Sequence, residues 1–156
     1  MRRSRHLRYP DGQGPLTLSL HQIRAFFETE LPFFAEFGFE LESIEPEFGV
    51  VRFVYDDRWT RPYQIINGGT LMTLADVAVY VAIFSRLGIV PLAVTNELKM
   101  NFLRPAIGGD VLARAHLKKV GRRVVYGDVD VFMDGAPDRL VAHATSSYIL
   151  PDSDSE

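Results

Sequence analysis

Asp76 is the side chain in this chain best placed to do chemistry. It follows two glycines in the stretch Ile66-Asn67-Gly68-Gly69-Thr70-Leu71-Met72-Thr73-Leu74-Ala75-Asp76, and from Leu71 to Leu87 the only other charged side chain is Arg86. At helical spacing its neighbours are Met72, Thr73, Val79 and Tyr80. A carboxylate in such surroundings loses water, so it must find a partner or be driven toward its neutral form. Carboxylates are uncommon in those places unless paired or used. The apolar run after Gly68 and Gly69 marks the glycines as a helix start. Free backbone N–H groups and the helix dipole can hold a developing negative charge there. An oxyanion donor and a carboxylate within one helix point to acyl-transfer chemistry. Plain readings stand beside these: Asn67-Gly68 is also a hairpin signal, and Asp76 can be a carboxylate satisfied by Thr73, an arginine or a backbone N–H.

The elements that must position these groups are one long helix and a set of strands. Residues 68–87 read as a helix that is apolar on nearly every side and must therefore be wrapped. Before it, Ser19 caps a short helix through about Glu30, with Leu20, Ile23, Phe26 and Phe27 at helical spacing and Pro32 as its stop. Phe37–Ile44 and Val50–Tyr55 read as strands joined by a turn over Glu45–Gly49, and residues 56–64 form an irregular link rich in aromatic and charged groups. After the long helix come four alternating segments, Leu92–Leu103, Val111–Val120, Arg123–Met133 and Leu140–Ile149. Their short links predict a four-strand antiparallel meander. The fold class is α+β: a curved antiparallel sheet of about six strands around one long central helix.

Composition narrows the function classes. The 156 residues make one domain, expected over 19–150, with a basic arm over 1–18 and an acidic, disordered tail over 151–156. There is no cysteine, which excludes disulfides, thiolate catalysis and Cys-ligated metals. The net charge of −3 gives no basic excess that would favour nucleic acid. The basic start lacks the apolar stretch of a signal peptide, and the run 71–85 is short for a membrane span, so a cytoplasmic protein with no membrane partner is expected. None of the four histidines, His6, His21, His116 and His143, has metal-ligand spacing, and no metal is expected.

Three motifs together resemble the hotdog-fold acyl-CoA thioesterases, in particular the PaaI-like and 4-hydroxybenzoyl-CoA types. They are Gly68-Gly69 with Asp76; the strand Thr95-Asn96-Glu97-Leu98-Lys99-Met100-Asn101-Phe102-Leu103-Arg104-Pro105-Ala106; and the turn Gly108-Gly109-Asp110. The resemblance spans roughly residues 20–150. It implies that the Gly68 N–H polarises a thioester carbonyl and that Asp76 is general base or nucleophile. It also implies that Thr95 orients water and that the site forms between two subunits of a homodimer or a dimer of dimers. No cofactor is implied; CoA enters as part of the substrate. The chain departs from its relatives at Asn67, where they commonly carry His, and at Arg61, where they often carry Asn or Gln. Asn cannot take up a proton, but it can cap the helix or hydrogen-bond to a substrate carbonyl.

Further candidates follow. Arg122 and Arg123 after Gly121 suit CoA phosphates, since guanidinium carries a fork of donors; the alternative is a solvated hairpin tip. Trp59, Tyr63 and Tyr80 are candidates for an acyl pocket or for aromatic packing. Thr95 shares its parity with Glu97 and Lys99, so it needs a bulge to reach the site. The expected activity is hydrolysis of an acyl- or aryl-CoA thioester. The alternatives are a non-catalytic acyl-CoA-binding protein and a dehydratase or hydratase of the same fold. The latter use a His with an acid, and no His lies near Asp76 in sequence.

Overall fold

The computed structural model describes residues 18–152; the expected basic arm up to residue 17 and the acidic tail from residue 153 lie outside the described residues. Helix α1 (Leu20–Glu30) begins with a reciprocal cap. Ser19 Oγ accepts the Gln22 N–H at 3.2 Å and Gln22 Oε1 accepts the Ser19 N–H at 2.9 Å. Pro32 ends this helix and also opens a second, α2 (Pro32–Glu36), because proline fits the first helical position, where no N–H is required.

Strands β1 (Phe39–Glu45) and β2 (Phe48–Phe53) form a hairpin whose turn is shorter than predicted. Phe48 and Gly49 belong to β2. A Cβ on Gly49 would stand 2.8 Å from the Ala82 nitrogen, so glycine here lets the strand lie against the central helix. The link that follows is more ordered than predicted. Two 3-10 turns, Asp57–Trp59 and Pro62–Gln64, flank β3 (Thr60–Arg61), which pairs with β4 (Ile65–Ile66).

Helix α3 (Gly68–Leu87) matches its predicted span and stops at Gly88, whose φ of +84° suits glycine. By length and hydropathy it would suffice to cross a membrane, yet 72% of its most apolar stretch is buried within this fold. Strands β5 (Val94–Phe102), β6 (Val111–Val120), β7 (Val124–Met133) and β8 (Leu140–Ile149) complete a six-stranded sheet in the order β1-β2-β6-β7-β8-β5. All neighbours are antiparallel. The sheet curves around α3, with Val51, Phe53, Ala113, Ala115, Val129, Val131, Ala142 and Ala144 buried against Leu74, Ala78, Val81 and Ala82.

The expected four-strand meander is corrected in one place. Strands β6, β7 and β8 do follow one another, but β5 pairs with β8 on the far edge and not with β6. The loop from β5 to β6 binds the segment before α3 instead of turning tightly. Ile66 N–H donates to Ala106 O at 2.9 Å, Gly108 N–H donates to Gln64 O at 3.2 Å, and Ile65 bridges to Ile107. Strand β5 is therefore an open edge, with Val94, Phe102 and Leu103 each more than half exposed at or beside it.

Candidate active site

The start of α3 is built by Asn67. Its Oδ1 accepts the Thr70 N–H at 2.9 Å, and its amide donates to Trp59 O at 2.7 Å and to Thr70 Oγ1 at 2.9 Å. The Asn67 backbone N–H also reaches Trp59 O, at 3.0 Å. Both amide protons are thus engaged within the protein, and Asn67 takes the capping role of the two foreseen for it. The N–H groups of Gly68 and Gly69 find no acceptor among the described residues, as expected for the first helical positions. They are free to bind an anion. The Phe102 ring rests on Gly68; a Cβ built there would stand 3.1 Å from the ring's Cζ.

Asp76 sits two turns along the same helix, half-buried. It has found partners, and they are hydroxyls. Thr95 Oγ1 donates to Oδ1 at 2.8 Å, and Tyr148 Oη lies 2.7 Å from the same oxygen and 2.9 Å from the Asp76 backbone carbonyl. Thr95 reaches inward because β5 carries the anticipated bulge, a register shift between Thr95 and Glu97. The Ser146 hydroxyl steadies that bulge by donating to Glu97 O at 2.9 Å. Burial, and then the charge of Asp76, hold the Tyr148 phenol far above its ordinary pKa, so it remains a donor at any working pH.

The other sequence candidates fall in different places. Tyr80 is a core residue, stacked between Phe27 and Tyr148 with its hydroxyl on Pro91 O at 3.0 Å; burial raises its pKa. Trp59 stacks on Phe37 with ring centroids 4.4 Å apart, and its buried indole N–H has no acceptor among the described residues. Tyr63 is 88% exposed and, with Gln64, holds a positive φ of 67° and 59° respectively. Arg61 is exposed, two residues before that pair. Arg122 and Arg123 are exposed at the β6–β7 tip, where the Arg123 guanidinium meets Asp152. Val124 and Val94 both pair with Ile149, so this tip shares the Thr95 end of the sheet with Asp76.

Sequence reasoning missed Tyr148. A signal existed: Ala142, Ala144, Ser146 and Tyr148 share one parity of β8, and the small residues mark it as the side facing the helix. His116 and His143 lie on the opposite face of the sheet. His116 stacks on Phe48 and His143 Nδ1 lies 3.0 Å from Asp130. Among the described residues no group of three His, Asp or Glu side chains could hold a metal ion.

Comparison with known proteins agrees with this architecture. The family model described as the thioesterase superfamily matches residues 63–145, more than half of the chain. The acyl-coenzyme A thioesterase PaaI of Escherichia coli is 30% identical over 95 residues, covering 60% of this chain and 66% of that protein. A protein of Saccharolobus solfataricus, provisionally named an esterase, is 29% identical over 133 residues, covering 85% of this chain and 86% of that one. A solved structure from Silicibacter sp. TM1040, provisionally named a thioesterase, superimposes with a TM-score of 0.79 at 29% identity, covering 90% of this chain and 96% of that one. With its helix start and its carboxylate inside the matched region, the chain belongs to the thioesterase superfamily and has its hotdog fold.

Proposed function

We propose that the protein is an acyl-CoA thioesterase whose site is completed by a second copy of the chain. Within one protomer the Gly68 N–H and Asp76 lie eight residues apart on one helix. That separation is about 12 Å along the axis, too far for both to touch one carbonyl. The observation that carries the proposal is their relation to the open edge strand. Gly68 lies under Phe102, at one end of β5, and Asp76 is bound to Thr95, at the other. Antiparallel pairing of two β5 edges about a two-fold near their middle sets Phe102 of one protomer opposite Thr95 of its partner. The helix start of each then faces the carboxylate of the other. The same pairing covers the exposed Val94 and Phe102 and satisfies the strand edge. A dimer of dimers extends the assembly.

In such a site the N–H groups at the start of α3 bind the thioester oxygen as it becomes an oxyanion. A donor of this kind is worth about 3–4 kcal/mol in the transition state. Asp76 removes a proton from the attacking water, or attacks the carbonyl itself to form an anhydride that water then opens; CoA leaves as the thiol. The exposed Arg122 and Arg123 hold CoA phosphates.

Thiol release from a panel of acyl- and aryl-CoA thioesters tests the activity, with hydrolysis of at least one member expected. Binding without turnover would favour the non-catalytic reading. Light scattering tests the assembly: a stable 17.6 kDa monomer at micromolar concentration would remove the shared site.

A further inference from the structure

Thr95 and Tyr148 place both of their hydroxyls on one oxygen of Asp76, at 2.8 and 2.7 Å. A carboxylate oxygen offers two lone-pair sites, so Oδ1 is filled. Among the described residues Oδ2 has no partner, and no ion pair reaches Asp76. The groups that face the carboxylate from β5 and β8 are these two hydroxyls. The ring of Tyr80, on α3, stacks on Tyr148, and neither phenol carries charge at working pH. Tyr148 is almost wholly buried. It also lies 2.9 Å from the backbone carbonyl of Asp76, so one phenol is held against both the side chain and the helix that carries it.

We infer that Tyr148 is a positioning residue of this site: together with Thr95 it immobilises Oδ1 of Asp76 and thereby makes Oδ2 the reacting atom. This rests on the thioesterase reading above. An aspartate turns freely about its last torsion, which would exchange the two oxygens. Two donors on one oxygen stop that exchange and aim the remaining lone pairs in one direction. Pre-orientation of this kind acts on the chemical step more than on substrate binding.

Tyr148→Phe tests the assignment, because phenylalanine keeps the ring and its stack on Tyr80 while removing only the hydroxyl. The expected result is a kcat lower by about 10–100-fold with KM nearly unchanged. In the Asp76→Asn background the same change should have no further effect. Thr95→Ser should retain most of the activity that Thr95→Ala loses. Unchanged kcat, or a further loss in the Asp76→Asn background, would overturn the inference. Carboxyl-carbon NMR of Asp76 in the free protein at fixed neutral pH separates this outcome from failure of the functional reading. If no acyl-CoA is hydrolysed at all, a displaced or exchange-broadened Asp76 carboxyl resonance in Tyr148→Phe still supports the grip, and an unchanged one refutes it.

Discussion

Gly68→Pro isolates the proposed oxyanion donor. Gly68 occupies the first helical position of α3, where a backbone N–H has no helical partner and proline is favoured. The preceding Asn67 has φ −66° and ψ 148°, the extended conformation that a following proline demands. The substitution therefore deletes one N–H while sparing the helix. Its steric cost falls on Phe102, whose Cζ would stand 3.1 Å from the new Cβ; that ring is 53% exposed and can rotate away. Gly68→Ala carries the same Cβ but keeps the N–H, so the ratio of the two variants removes the effect of the Cβ contact with Phe102. Loss of one oxyanion donor costs roughly 10²–10³ in kcat. The expected result is that Gly68→Pro falls below Gly68→Ala by that factor, with similar KM and similar melting temperatures. Steady-state thiol release on a hydrolysed acyl-CoA, with thermal melts alongside, makes the measurement. Equal kcat in the two variants, both folded, would refute the role of this N–H. Mixing Gly68→Pro with Asp76→Asn adds a test of the shared site. Random reassociation gives half heterodimers, each with one intact site, so about a quarter of wild-type activity should return. No recovery after demonstrated subunit exchange would argue for sites contained within one protomer.

Asp76→Asn should lower turnover at least about 10²-fold, since the amide is close in shape but can neither take a proton nor attack. Its melting temperature should hold, because the asparagine oxygen can still accept from Thr95 and Tyr148. Arg122→Ala with Arg123→Ala should raise KM and leave kcat nearly intact, an effect that shrinks as salt screens the exposed charges over about 10 Å at 0.1 M; a lost kcat at unchanged KM would contradict phosphate binding. Arg52→Met should destabilise the fold by about 1–2 kcal/mol at neutral pH, the value expected for charge-assisted bonds after discounting for solvent. Arg52 binds Glu42, Asp110 and Asp134 at 2.9, 3.1 and 2.8 Å, and it holds the Glu42 and Asp134 carboxyls below their ordinary pKa. Stability from such depressed acids is complete above the unfolded values near 4 and is lost as pH falls through the folded ones. Wild type and variant should therefore converge in denaturant melts at acid pH, and a constant gap would refute the electrostatic account.

The amino-acid sequence by itself determined the local elements and the identity of the central groups. The α3 span is legible because a mostly apolar run between glycines, at helical length, has one physical solution, a wrapped helix. Ser19 announces α1 through its cap, and period-two alternation marks the strands. Asp76 stands out because charge is rare in such a run. Thr95 required a bulge for its side chain to reach the helix, and that bulge is present.

Tertiary structure decided what depends on contacts between distant segments. That Tyr148 meets Asp76, 72 residues away, follows from how β8 crosses α3, and alternation reports only the face on which a residue lies. Tyr80 could serve a pocket or the core as read in sequence, because the same aromatic spacing serves either end, and in space it stacks between Phe27 and Tyr148. The place of β5 on the far edge was hidden because a loop of given length can turn tightly or travel. Here its residues bind the segment before α3, and hydrogen bonds to Ile66 and Gln64 decide between the two. That choice leaves the edge strand open with the helix start under one end and Asp76 under the other, an arrangement no local pattern encodes.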